Sequence, residues 1–139
     1  MIDGQAIVEE ARKWIGTPFV HQGRTRFGVD CIGLVICVRH AVEPMPELLQ
    51  EVTNYARRPK DGLLLERIAN YCEPISQPEA GSVAIIQWHR KQPPSHVVIL
   101  TGEGTMIHSY RNVERVCEVG YRSRWVQLTH AIFRLPGVK

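Results

Sequence analysis

One cysteine and two histidines in this sequence stand where thiol chemistry needs them. Cys31 follows Asp30 and opens the segment CIGLVICVRHAV, whose apolar content suits a buried helix. Aspartate is a strong N-cap, so Cys31 is expected to be the first residue of that helix. A sulfur placed there meets unpaired backbone N–H groups and the positive end of the helix dipole. Both favour the thiolate and lower the thiol pKa. The same N–H groups can donate to an oxyanion formed when the sulfur attacks a carbonyl.

His96 follows the Pro93-Pro94 break and opens the strand-like run HVVIL, and His108 lies twelve residues later in GTMIHSYR. A turn with Gly102 and Gly104 separates the two runs. If the hairpin is centred on Gly102, Val98 faces Met106 and His96 faces His108, with Cβ atoms about 4.5–5.5 Å apart. His108 would then hydrogen-bond one ring nitrogen of His96 and leave the other to deprotonate the thiol. Nucleophile, base and orienter together make a triad. A loop of even length would shift this register.

The plainer readings are that Cys31 is core packing and that each histidine is an ordinary hydrogen-bonded strand residue. Zinc would accept Cys31, His96 and His108, but no short ligand pair such as CxxC or HxxxH is present to nucleate a site, so no metal and no cofactor is expected. His21 is the other histidine of interest, because it sits in the loop TPFVHQGRTRFGV. His40, His89 and His130 carry no pattern. Cys37 and Cys72 read as helix core, and Cys117 lies in a strand-like segment without a partner.

The elements that must position these groups follow from periodicity. Residues 3–15 read as a helix capped by Asp3, with Ile7, Val8, Ala11, Trp14 and Ile15 on one stripe and Gly16 and Pro18 as the stop. The second helix runs from Cys31, with Leu34, Val35, Val38 and Val42 inward, until Pro44 and Pro46. Residues 47–58 are polar and ambiguous. A third helix is expected over 61–72, with Leu64, Leu65, Ile68 and Cys72 inward, followed by a Pro/Gly-rich break over 74–81. Then GSVAIIQWH, HVVILTG, GTMIHSYR and residues 126–135 read as strands. Helices first and strands second imply a single α+β domain over residues 1–139, with N-terminal helices packed on a C-terminal antiparallel sheet.

Composition sets the outer limits. A chain of 139 residues, 44% hydrophobic and 22% charged, holds one core. The longest apolar run, residues 32–38, is far short of the roughly 20 residues that span a bilayer, so no membrane span is expected. A net charge of +3 is too small and too dispersed for nucleic-acid binding; Arg111, Arg115, Arg122 and Arg124 read as a solvated face. The start, MIDGQAIVEEARKW, is acidic and amphipathic. It has no basic segment followed by an apolar one, so no signal peptide is expected and the chain is expected to be made in the cytoplasm.

The order GTPFVHQG, GVDCIGLV, GSVAII, SHVVILTGEGTMIHS resembles the NlpC-type cell-wall cysteine peptidases, which are papain-like. The resemblance runs from Trp14 to Leu135, and DCIGLV, HVVIL and MIHS are its specific parts. It implies a papain-like fold and a thiol peptidase in which Cys31 attacks, His96 is the base and His108 orients it. The implied substrate is the peptidoglycan stem peptide, cut between γ-linked D-glutamate and the following diamino acid. The resemblance also implies that Asp30 binds the free amine of the substrate's L-alanine, in competition with capping.

Three positions depart from the family pattern. Phe19 stands where a tyrosine is common, Ile32 where serine is frequent, and Gly81-Ser82 where Gly-Asp is usual. His21, near Phe19, is a candidate substitute donor. The wording HQG and DCIGLV most resembles the branch found in phage and prophage tails, which implies tail-tip proteins as partners and carriage to the cell wall in a tail-like particle. The rival readings are a structural or docking module of a tail tip, weakened by Phe19 and Ile32, and an acyltransferase or amidase on another substrate.

Overall fold

The computed structural model describes residues 1–49 and 63–139. The chain begins with α1 (Gly4–Arg12), capped by Asp3, whose carboxylate accepts the Gln5 N–H. Ile7, Val8 and Ala11 are buried as its periodicity demands, and Trp14 follows them inward. Ile15 does not. Regular helix stops at Arg12 and the chain continues in turns, so the helical stripe no longer applies and Ile15 is exposed.

The loop expected over 17–29 contains a small hairpin, β1 (Arg24–Thr25) with β2 (Gly28–Val29). It leads into α2 (Cys31–Val42), which starts and ends where the sequence places it. The buried surface of α2 is wider than the expected stripe: residues 32–39 are all buried, Arg39 included. The helix runs through the middle of the molecule and touches α1, β1, β5 and β6 (placed below) together with the short α3 (Pro46–Leu49). Buried Arg39 is matched by carbonyls, donating to Pro136 O and Glu43 O at 2.6 Å each. A helix apolar all round is a core helix.

The third expected helix is α4 (Leu63–Tyr71). Its expected start at Asp61 and most of the ambiguous stretch lie outside the described residues. Ile68 is buried, and Cys72 is half-buried just past the helix end. The break over 74–81 is not wholly irregular, because β3 (Glu73–Ile75) pairs there with the last strand.

The remaining strands are β4 (Val83–Ile86), β5 (His96–Leu100), β6 (Thr105–Tyr110), β7 (Arg115–Gly120) and β8 (Thr129–Arg134). The six form one antiparallel sheet in the order β3-β8-β4-β5-β6-β7. Residues 126–128 are not strand: Val126 lies in the one-turn α5 (Arg124–Gln127) and is exposed. The expected architecture, N-terminal helices packed on a C-terminal antiparallel sheet, holds.

Both faces of the central strands are covered. Val83, Ile85, Val97, Ile99, Ile107 and Phe133 face the helices. Ala84, Ile86, Val98, Leu100 and Met106 face a second, smaller core closed by Trp88, Val119, Tyr121, Trp125, Leu128 and Ile132. That explains why VAII and VVIL read as continuous apolar runs, since a strand buried on two faces has no polar side to alternate. Arg111, Arg115, Arg122 and Arg124 are exposed, as a solvated face requires.

Candidate active site

Cys31 is the first residue of α2, and Asp30 is its N-cap in extended conformation. Asp30 is buried and heavily engaged. One carboxylate oxygen accepts the Gly33 N–H at 2.8 Å and meets Arg24 at 3.3 Å, and the other accepts the Gln22 N–H at 2.9 Å. The carboxylate therefore caps the helix and braces the 20–24 loop against it. The amine contact implied for Asp30 competes with these internal partners. Gly33 is required by the same arrangement, because a Cβ there would lie 2.1 Å from the Gly23 carbonyl oxygen. Gly33→Ala is expected to cost roughly 1–3 kcal/mol by overpacking, read as a lower melting temperature.

Phe19 lies beside the chain entering α2. It bridges Val29 in parallel, and its N–H donates to Glu114 O at 2.9 Å. His21 follows on the same loop, half-buried. Of the three expected substrate contacts, Asp30 directly precedes the thiol, and Phe19 is tied through its backbone to Val29, two residues before it, with His21 two residues further along the same loop.

The β5–β6 register differs from the expected one. Ile99 faces Ile107 and Leu100 faces Met106, so the turn is centred on Glu103 and not on Gly102. The Thr101 N–H to Thr105 O bond closes the turn, with Gly102 and Gly104 both at positive φ. This moves the pairing by two residues, which preserves the side-chain face. His96 and His108 become diagonal neighbours, still within reach for ring side chains. Their rings meet: His96 Nε2 and His108 Nδ1 are 2.8 Å apart. Two ring nitrogens bonded to each other leave no room for a metal between them, and among the described residues no group of three His, Cys, Asp or Glu side chains is arranged to hold one.

β5 pairs with β6 at Ile99 and Leu100, near the turn. Towards its start, β5 serves the thiol instead: the Val97 N–H reaches the Cys31 sulfur, as do the N–H groups of Ile32 and Cys31 itself. The nucleophile candidate therefore rests on the residue next to His96.

The expectation of a lowered thiol pKa is overturned. Burial, followed by the negative charge of Asp30, pushes the Cys31 thiol up to about 12 against the pull of the three N–H groups. A helix N-terminus carries about half a charge, and desolvation of a buried anion outweighs it. Burial, and then the charge of His108, holds His96 well below the usual imidazole range. Burial brings His108 down to about 4. At neutral pH the three groups are all uncharged.

Sequence reasoning missed the rings around the two histidines. Trp88 stacks on His96 with centroids 5.8 Å apart, Tyr110 stacks on His108 at 4.9 Å, and Trp125 meets His108 edge-on at 5.3 Å. Tyr110 was within reach of a period-two argument, because it lies two residues beyond His108 on one strand. Trp125, from the distant α5, left no such signal. Cys37 donates its S–H to Arg24 O, and His40 Nδ1 accepts the Met45 N–H at 2.9 Å. Both serve local structure.

The NlpC/P60 family model matches residues 16–134. Among solved structures, the NlpC/p60 domain of the peptidoglycan hydrolase SagA is 28% identical, with a TM-score of 0.65 over 96% of this chain and 100% of that one. An NlpC/P60 family protein from Bacillus cereus ATCC 10987 superimposes with a TM-score of 0.72 at 17% identity, over 96% of this chain but 40% of its own. The peptidoglycan hydrolase RipB from Mycobacterium tuberculosis gives 0.60 at 17% identity, over 94% of this chain and 63% of its own. No curated protein matches the sequence. A family match that takes in the capped cysteine, both histidine strands and the whole sheet leads to one conclusion: the chain belongs to the NlpC/P60 family.

Proposed function

We propose that this protein is a thiol endopeptidase that hydrolyses peptidoglycan stem peptides at the bond between γ-linked D-glutamate and the diamino acid. The observation that carries this reading is the 2.8 Å hydrogen bond between His96 Nε2 and His108 Nδ1, on a strand whose next residue, Val97, gives its N–H to the cysteine at a capped helix start. The likeness to the NlpC/p60 domain of the peptidoglycan hydrolase SagA supports the substrate class.

The reaction needs one particular tautomer of each ring, and the hydrogen bond is compatible with it. For His96 Nδ1 to accept a proton, Nε2 must carry the hydrogen and donate it to His108 Nδ1, so His108 holds its own proton on Nε2. Because the free thiol is not ionised, proton transfer to His96 accompanies attack and does not precede it. Cys31 Sγ bonds to the substrate carbonyl carbon as His96 takes the thiol proton. The oxyanion meets the N–H of Cys31. The tetrahedral species then expels the amine, which leaves with the proton from His96. Water, deprotonated by His96, opens the thioester; the proton returns to sulfur, and the released carboxylic acid gives its own proton to solvent. Phe19, His21 and Asp30 meet the acyl side of the substrate.

The setting we propose is a phage or prophage tail, with tail-tip proteins as neighbours and the cell wall as destination. It rests on the resemblance of HQG, DCIGLV and the helical insert ending near Cys72 to that branch. Mass spectrometry of fragments released from purified peptidoglycan tests the reaction. The expected products carry a new amine on the diamino acid and a new D-glutamate γ-carboxyl. Correctly folded protein that releases no fragments would instead favour the docking module.

A further inference from the structure

The histidine pair sits inside a set of aromatic rings, and of those around His96 one lies nearest to parallel with it. Trp88 lies nearly parallel to the His96 imidazole, at 25° between planes, whereas Trp125 meets Trp88 at 64° and His108 at 87°. Trp88 is not on a strand. It occupies the turn after β4, which is held on both sides: Gln87 N–H donates to Leu128 O at 2.9 Å, Gln87 Nε2 to Gln92 O at 2.8 Å, and Ser95 N–H to Ile86 O at 3.1 Å. A half-buried indole fixed by its own turn, with Trp125 packed against it, is set in place independently of the histidine it covers.

An indole face carries negative quadrupole density and attracts a cation within about 6 Å of its centroid. His96 is neutral at rest and becomes a cation only while it holds the thiol proton. A ring stacked at 5.8 Å therefore contributes little to the resting state and more to the step in which charge develops, which is the condition for acceleration. The titratable side chains in contact with His96 among the described residues are His108 and Tyr110 from β6; Cys31 at the start of α2 meets the backbone N–H of the next residue, Val97, and β4 presents apolar Ile86 opposite His96. None of these is a carboxylate.

We infer that Trp88 is a positioning residue for the proton acceptor, holding the His96 ring plane and stabilising its imidazolium through the indole face. This rests on the reading of His96 as the base. The test keeps the shape of the ring and changes its electronics. Tryptophan bearing one, two and three fluorines is installed at position 88 of the full chain, alongside Trp88→Phe and Trp88→Leu. Turnover of purified peptidoglycan fragments is expected to fall stepwise with fluorination and by about three- to thirty-fold in Trp88→Leu, with KM nearly unchanged and Trp88→Phe recovering most of the loss. In step with this, the acid limb of the rate profile moves to lower pH, because a less stabilised imidazolium deprotonates earlier.

NMR titration of the His96 ring in the same fluorinated proteins reads the interaction without turnover. It still decides the matter if the protein hydrolyses nothing and the proposed function falls. A His96 pKa that drops with each fluorine supports the inference. A flat series, or Trp88→Leu equal to Trp88→Phe, overturns it.

Discussion

Cys31→Ala is expected to abolish fragment release from peptidoglycan, by a factor on the order of 10⁴ or more, while the protein stays folded. The size follows from the chemistry. Removing the sulfur removes the acyl-enzyme route, and no other cysteine replaces it: Cys37 donates into the β1 hairpin, Cys72 lies just past α4 and Cys117 lies on β7. The effect on stability is small, because Asp30 still caps α2 through the Gly33 N–H. What is lost is the sulfur against the Val97 N–H, worth about 1 kcal/mol. Cys31→Ser separates the two effects. A hydroxyl can still receive the Val97 N–H and should restore the melting temperature, whereas an alcohol in this setting is a poor nucleophile and should not restore turnover. A Cys31→Ala protein that digests wall as fast as the parent would remove the thiol from the mechanism.

Acidification should be the second large effect, on stability and rate together. Both histidines are held below the ordinary imidazole range, His108 at about 4 and His96 also well down. Their folded-state pKa values lie under the unfolded value of about 6.5. Between those limits the unfolded chain binds more protons than the native one, so stability is full above about pH 6.5 and is lost as the pH falls towards 4. For His108 alone the full window is worth on the order of 3 kcal/mol. Thermal melts at intervals from pH 7 to pH 5 stay above most carboxylate titration. In that range the wild-type melting temperature should fall more steeply than that of a His96→Gln/His108→Gln double variant. Equal slopes would mean that the pair is not held neutral by the fold. Turnover should fall over the acid side as well, since protonated His96 cannot accept the thiol proton.

How much of this was legible depends on how far apart in the chain the interacting groups lie. The start of α2 was readable because a cap acts on the N–H groups of the next few residues, and Asp30 and Gly33 are three residues apart. The end of α1 was misjudged at Ile15, because a stripe of apolar residues does not show where regular backbone stops. The hairpin was placed correctly and its register was not. Either glycine can take positive φ, and the choice between a turn centred on Gly102 and one centred on Glu103 is settled by the Thr101–Thr105 closure. The two histidines survived that error, since a shift of two residues returns each side chain to the same face.

From the order of residues alone come the capped cysteine, the shared face of His96 and His108 and the α+β arrangement, because each depends on near neighbours and on strand periodicity. Tertiary structure decided the charge state of the thiol and the rings that enclose the histidines. Desolvation is a sum over everything packed nearby, and here β5, Trp88 after β4 and Trp125 in α5 arrive from separate parts of the chain. A helix dipole can be read from a helix start, but the water excluded by the rest of the fold cannot.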